Sequence, residues 1–136
     1  MRVSEIVALT LYLECRGEPA LGQIAVGCVI RNRSRDKKHR WPRSLDEVCL
    51  QEKQFSCWNF TTPAKQQTIV DWDDPVWDQL FRLALAFTQD LIPDITNGAN
   101  HYLNPKVVIA EAGKLPSWAD SERVTMDVGN HRFYRL

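Results

Sequence analysis

The chain is short of the residues that hold metals and of the runs that cross membranes. Its 3 histidines are scattered, and its 4 cysteines, Cys15, Cys28, Cys49 and Cys57, include no C-x-x-C pair. With His39 alone in a polar stretch, zinc-ligand spacing is missing, and the reading is no metal and no cofactor. No apolar run approaches a membrane span, and Ser4 and Glu5 interrupt any long apolar core at the N-terminus. The expectation is a protein synthesised in the cytoplasm without a signal peptide, not inserted in a membrane, with all four thiols reduced. Net charge is missing too. The 17 Lys and Arg balance 17 Asp and Glu, so no global field recruits nucleic acid. Repeats, linkers and low-complexity tracts are also lacking. Residues 1–136 therefore read as a single domain, long enough to bury a core without disulfide support.

Charge is nevertheless uneven. Arg31, Arg33, Arg35, Lys37, Lys38, Arg40 and Arg43 form a basic run, and Asp71, Asp73, Asp74 and Asp78 an acidic one. Such runs ordinarily mean solvated surface. The alternative for the basic one is salt-dependent contact with an anionic polymer. No nucleic-acid recognition motif accompanies it, so no nucleic-acid partner is expected.

Apolar periodicity organises most of the chain as helices. The first runs from about Ser4, the expected N-cap, to Cys15 or Arg16, where Gly17 and Pro19 stop it. The second runs from about Ala20 to Arg33. Its main stripe is Leu21, Ile24, Ala25, Cys28 and Val29, and Val26 and Ile30 cover the other side, which predicts a central position. Small Gly22, Ala25 and Gly27 predict close approach of the first helix. Ser34 to Pro42 is a polar loop. Ser44-Leu45-Asp46-Glu47 is a capping box opening a short helix to about Glu52. Thr61 to Asp73 reads as irregular. Asp74 and Pro75 start a long amphipathic helix carrying Trp77, Leu80, Phe81, Ala84, Phe87 and Leu91.

From Thr96 the signals change. Asn97-Gly98 is a turn, and Asn100 to Leu103 a short strand. Val124, Met126 and Val128 alternate, and Gly129-Asn130 makes a hairpin with His131 to Leu136. Helices first and a small late antiparallel sheet give an α+β fold, mostly helical.

One residue breaks the pattern. At about 100° per residue, Val3, Val7, Thr10 and Glu14 share a narrow sector of the first helix. A carboxylate thus stands near the centre of an apolar face, in the last turn, where carbonyl dipoles end. Burial and the helix end both favour the protonated form and predict a raised pKa, which suits a general acid. The alternative is an ion-pair partner for Arg16 or Arg31.

The motifs around Glu14 resemble a known family. Tyr12-Leu13-Glu14-Cys15-Arg16-Gly17-Glu18-Pro19, Gly22-Gln23-Ile24-Ala25-Val26 and Asn32-Arg33 are similar to the signature of the cell wall hydrolases typified by the spore cortex-lytic enzyme SleB. Gln54-Phe55-Ser56, Gly98-Ala99-Asn100-His101-Tyr102 and Gly129-Asn130-His131-Arg132-Phe133-Tyr134 resemble its later blocks in the same order. The resemblance implies a lysozyme-like fold and cleavage of the N-acetylmuramic acid to N-acetylglucosamine β-1,4 bond. It also implies a lytic transglycosylase with one essential glutamate, matching Glu14. Two-carboxylate glycosidases need a second group, and Glu18 is the possible secondary carboxylate. Gly17 and Pro19 break the register between the two, so their separation stays open, and a structural role in the turn is the alternative for Glu18. Expected substrate contacts are Gln54, Ser56 and Tyr102, with His101 and the Trp58 ring as further candidates; packing is the alternative for each aromatic.

The implied partner is the peptidoglycan glycan strand, met by a monomer. A compact catalytic domain without an export signal resembles phage or prophage lysis proteins, acting on the wall after release or as a virion component. Two other readings stay open: a hydrolysing muramidase on the same fold, and a non-catalytic wall-binding or virion module.

Overall fold

The computed structural model describes residues 1–52 and 54–136. Among these described residues six helices and three strands follow in order: α1 (Val3–Cys15), α2 (Ala20–Ser34), α3 (Leu45–Leu50), α4 (Pro63–Gln67), α5 (Pro75–Thr88), β1 (His101–Leu103), α6 (Pro105–Ala112), β2 (Val124–Val128) and β3 (His131–Tyr134). Short 3-10 turns occur at Ser56–Trp58 and Ser121–Arg123. The architecture is α+β and mostly helical. No helix among the described residues is long and apolar enough to cross a membrane.

α1 is the hub of the core. Ile6 to Tyr12 are all buried, because every side of the helix meets a neighbour in α2, α3 or α5. Leu9 and Leu11 are essentially inaccessible, and truncating either to alanine costs about 2–5 kcal/mol. Ser4 does not cap α1; Arg2 occupies that position without a side-chain bond, and Ser4 lies inside the first turn. In α2 the expected stripe is buried at Ala25, Cys28 and Val29, whereas Ile24 is only partly buried and Leu21 is exposed at the first turn. Of its small residues, Gly27 faces a different helix from the one expected. A Cβ on Gly27 would fall 2.2 Å from the Phe87 ring, so this glycine admits α5 and not α1.

α5 follows the expected punctuation. Asp74 Oδ1 accepts the Val76 amide at 2.9 Å, with Pro75 at the first helical position. The helix ends at Thr88, and Asp90 turns the chain at φ 57°, which leaves Leu91 exposed instead of in the stripe. The segment expected to be irregular contains α4, capped by Thr62 with Pro63 at its start. At α3 Ser44 is the N-cap residue, but the expected capping box does not form: Ser44 Oγ donates to Glu47 Oε1 at 2.6 Å and caps no backbone amide, and the helix closes at Leu50.

The sheet order is β1-β3-β2, antiparallel throughout. Tyr102 pairs with Phe133, and Met126 pairs with Phe133 from the other side, with a register shift between Val124 and Met126. Phe133 is fully buried and joins the sheet to the helical core.

Candidate active site

Glu14 stands at the last turn of α1, half-buried, with its carboxylate turned toward the Ser56–Trp58 turn. Its Oε1 accepts the Cys57 backbone N–H at 3.2 Å and lies 3.5 Å from Ser56 Oγ. The turn that presents these donors is anchored from below. Phe55 and Trp58 are buried, and Trp58 Nε1 donates to Thr10 Oγ1 at 2.8 Å, one helical turn before Glu14. The Gln66 side chain holds the Cys57 carbonyl from α4. Neither arginine weighed as a partner reaches Glu14. Arg16 lies over the Tyr12 ring at 4.9 Å, and Arg31 donates to the Ile92 carbonyl. Among the described residues Glu14 forms no ion pair.

β1 brings Tyr102 to the same place. Its ring stacks on Phe133 at 5.7 Å and meets His131 at 4.9 Å. Burial holds the phenol well above its usual range, and the charge of Glu14 raises it further. Tyr102 is therefore a neutral hydrogen-bond donor at any working pH. The two nearby thiols are equally unreactive. Burial first, then Glu14, pushes Cys15 up to about 12 and Cys57 further still. A thiolate nucleophile is thereby excluded at neutral pH.

Glu18 has a different task. One oxygen accepts the Asn130 backbone N–H and the other the Asn130 side-chain amide, both at 2.9 Å. The carboxylate clamps the β2–β3 hairpin onto the turn between α1 and α2. Gly129, at φ 58°, makes room for it: a Cβ there would fall 2.9 Å from Glu18 Oε1. His131 Nδ1 lies 3.4 Å from the same oxygen, outside hydrogen-bonding geometry. Burial lowers the His131 pKa, and Glu18 and then Glu14 partly restore it.

Of the expected contacts, Ser56 lies 3.5 Å from Glu14 Oε1, and Tyr102 is near enough for the Glu14 charge to raise its pKa. Gln54 and His101 stand further along. Gln54 is exposed, its Oε1 receiving Trp41 Nε1 at 3.4 Å and Arg33 Nη1 at 3.5 Å. His101 packs between Trp41 and Trp118 at 5.7 and 4.8 Å. Burial and the cations Arg33 and Arg40 hold its pKa down to about 4, so it is neutral. Trp58 is corrected: an indole buried in the core and bonded to Thr10 offers no face to a sugar. Trp118 is half-buried and packs edge-on against Tyr134.

Arg33 is the residue that sequence reasoning placed wrongly, as part of a solvated basic run. It is buried, donates from Nε to the Asn100 carbonyl at 2.8 Å, and lies over the Trp41 and Phe55 rings. Desolvation lowers its pKa to about 10 without neutralising it. The signal was its position, one turn beyond Val29 and Ile30 on a buried face. Arg31 is buried too. Among the described residues no group of three His, Cys, Asp or Glu could hold a metal ion.

A helical body and a small late antiparallel sheet make a mostly helical α+β fold, with Glu14 half-buried at a helix end. The chain belongs to the cell wall hydrolase family, whose model matches residues 17–134. The match begins beyond Glu14 and so does not itself assign that residue. The fold is similar to the catalytic domain of the germination-specific lytic transglycosylase SleB from Bacillus anthracis, with a TM-score of 0.69, 23% identity and coverage of 98% of this chain and 93% of that one. The catalytic domain of the Bacillus cereus SleB protein is similar at a TM-score of 0.67 and 23% identity, covering 98% and 89% respectively. No curated protein matches the sequence.

Proposed function

We propose that the protein is a peptidoglycan lytic transglycosylase in which Glu14 is the sole acid and base. The observation that carries this reading is the contrast between two neighbouring carboxylates. Glu14 is half-buried beside Ser56 and a neutral Tyr102, whereas both oxygens of Glu18 are held by the hairpin. Hydrolysis by two carboxylates needs both free to act. A transglycosylase needs one.

In the first step Glu14 gives its proton to the glycosidic oxygen as the bond from that oxygen to C1 of N-acetylmuramic acid breaks. The 6-hydroxyl of the same sugar then attacks C1, and its proton passes to the Glu14 carboxylate, which restores the acid. One C–O bond is lost and one formed, with no water consumed. Tyr102 and Ser56 donate hydrogen bonds to substrate oxygens. Gln54 extends the contact along the strand, and lysis or penetration of the wall is the setting such cleavage serves.

The test is mass spectrometry of fragments released from purified peptidoglycan by the protein and by Glu14→Gln. Products ending in 1,6-anhydromuramic acid, absent with the variant, are expected. Reducing-end products would move the mechanism to hydrolysis and return Glu18 to consideration. No fragments from the unsubstituted protein would leave a wall-binding module.

A further inference from the structure

With Arg31 and Arg33 withdrawn into the core, the rest of the basic run gathers on one surface. Arg35, Lys37, Lys38 and Arg40, joined by Arg135 from beyond β3, line an open cleft of about 520 Å³. Arg43 and His39 line a second that shares Arg35 and Lys37. The carboxylate lining both is Asp36, and Arg40 engages it from Nε and Nη2 at 2.9 and 3.0 Å. Arg35 is paired with Asp90 at 2.7 Å. Lys37, Lys38 and Arg135 have no carboxylate partner among the described residues. The acidic run lies elsewhere, at the start of α5.

This surface continues the candidate active site. The Arg40 guanidinium lies over the Trp41 ring at 4.8 Å, Trp41 donates to Gln54, and Gln54 is two residues from Ser56. These contacts link the cations, through Trp41 and Gln54, to the segment that carries Ser56.

We propose that this basic surface binds the free carboxylates of the peptide side chains carried by the glycan strand. The inference rests on the reading of the Glu14 site as peptidoglycan-cleaving. The peptides are covalently attached to the sugars in that site, so their carboxylates reach the surface at high effective concentration. A separate phosphodiester polymer of the wall has no such tether. Uncommitted lysine ammoniums suit single carboxylates presented at varying positions.

Binding to three materials tests this: intact walls, sacculi freed of phosphodiester polymers by hydrofluoric acid, and the same sacculi stripped of peptides by an amidase. Glu14→Gln is the non-cleaving background, with and without Lys37→Gln, Lys38→Gln and Arg135→Gln together. The triple substitution is expected to weaken binding to peptide-bearing, acid-treated sacculi about tenfold at low salt. The difference shrinks as ionic strength rises and vanishes on peptide-free glycan. Lys37→Arg, Lys38→Arg and Arg135→Lys retain full binding. Unchanged binding to peptide-bearing sacculi overturns the proposal, and so does a loss confined to intact walls, which assigns the surface to phosphodiesters. Cleavage of peptide-free glycan by the unsubstituted protein separates the two readings. Fragments without a binding difference remove only the surface, and no fragments from any material remove the underlying function.

Discussion

Glu14 and Glu18 flank a single turn, yet the fold uses them in opposite ways. Glu14 leaves α1 toward a 3-10 turn that offers it one amide and one hydroxyl on Oε1, and its other oxygen has no hydrogen-bond partner among the described residues. Glu18 leaves the turn toward the hairpin, where a backbone amide, a side-chain amide and a histidine ring enclose it. A carboxylate with a hydrogen bond on each oxygen is a brace, because moving a proton onto it breaks a bond that positions it. A carboxylate with one anchored oxygen is oriented and still available. The difference is in the partners, not in the residue type, and it arises because Gly17 and Pro19 turn the chain between them.

Substitution should separate the two. Glu14→Gln is expected to lower turnover about 10³-fold, roughly 4 kcal/mol of barrier, with the melting temperature unchanged or raised. Activity assays alongside thermal unfolding check this, and an unfolded variant would make Glu14 a brace as well. Glu18→Ala removes two charge-assisted bonds from a nearly inaccessible side chain. A stability loss of about 2–4 kcal/mol by denaturant titration is expected, with residual activity in the fraction that stays folded. Full stability with no activity would reverse the assignment.

How far this contrast was legible in the sequence varies by residue. The position of Glu14 on an apolar face followed from helical spacing, as did α5 from Asp74-Pro75 and the hairpin from Gly129-Asn130. α6 carries the same punctuation, Asn104-Pro105 at its start and Gly113 at its end, but Val107 and Ile109 are exposed and leave no apolar stripe to read. α4 is hidden for the same reason: no residue of it is buried. A structural role for Glu18 in the turn was legible, but its partner was not, because Asn130 lies 112 positions away in the chain. Arg33 and Trp58 went astray because composition reports charge and aromaticity, while burial depends on which neighbours the fold supplies. A long-range contact has no local signature.

Tyr102→Phe sharpens the Glu14 side of the contrast. The ring keeps its stack on Phe133, so stability is expected to hold while turnover falls about tenfold, the worth of one hydrogen bond to the substrate. A change in KM alone would make Tyr102 a binding contact that does not strengthen in the transition state.

The smallest effect compares the two carboxylates through a common neighbour. Burial depresses the His131 pKa, and the charges of Glu18 and then Glu14 oppose that depression. Removing either charge should lower the pKa further, and Glu18→Gln should lower it more than Glu14→Gln. Titration of the His131 ring by NMR reads both in one experiment. The depression also has a consequence for stability. Below the unfolded histidine value near 6.5, the unfolded chain binds a proton that the folded chain refuses, so His131 contributes stability above that pH and loses it as pH falls. The acid-side loss of stability should begin at the same pH in both variants, set by the unfolded histidine, and should run deeper and to lower pH in Glu18→Gln than in Glu14→Gln. Equal titration of His131 in the two variants would mean that both carboxylates sit at the same electrical distance from the hairpin, and the division between brace and acid would no longer rest on geometry.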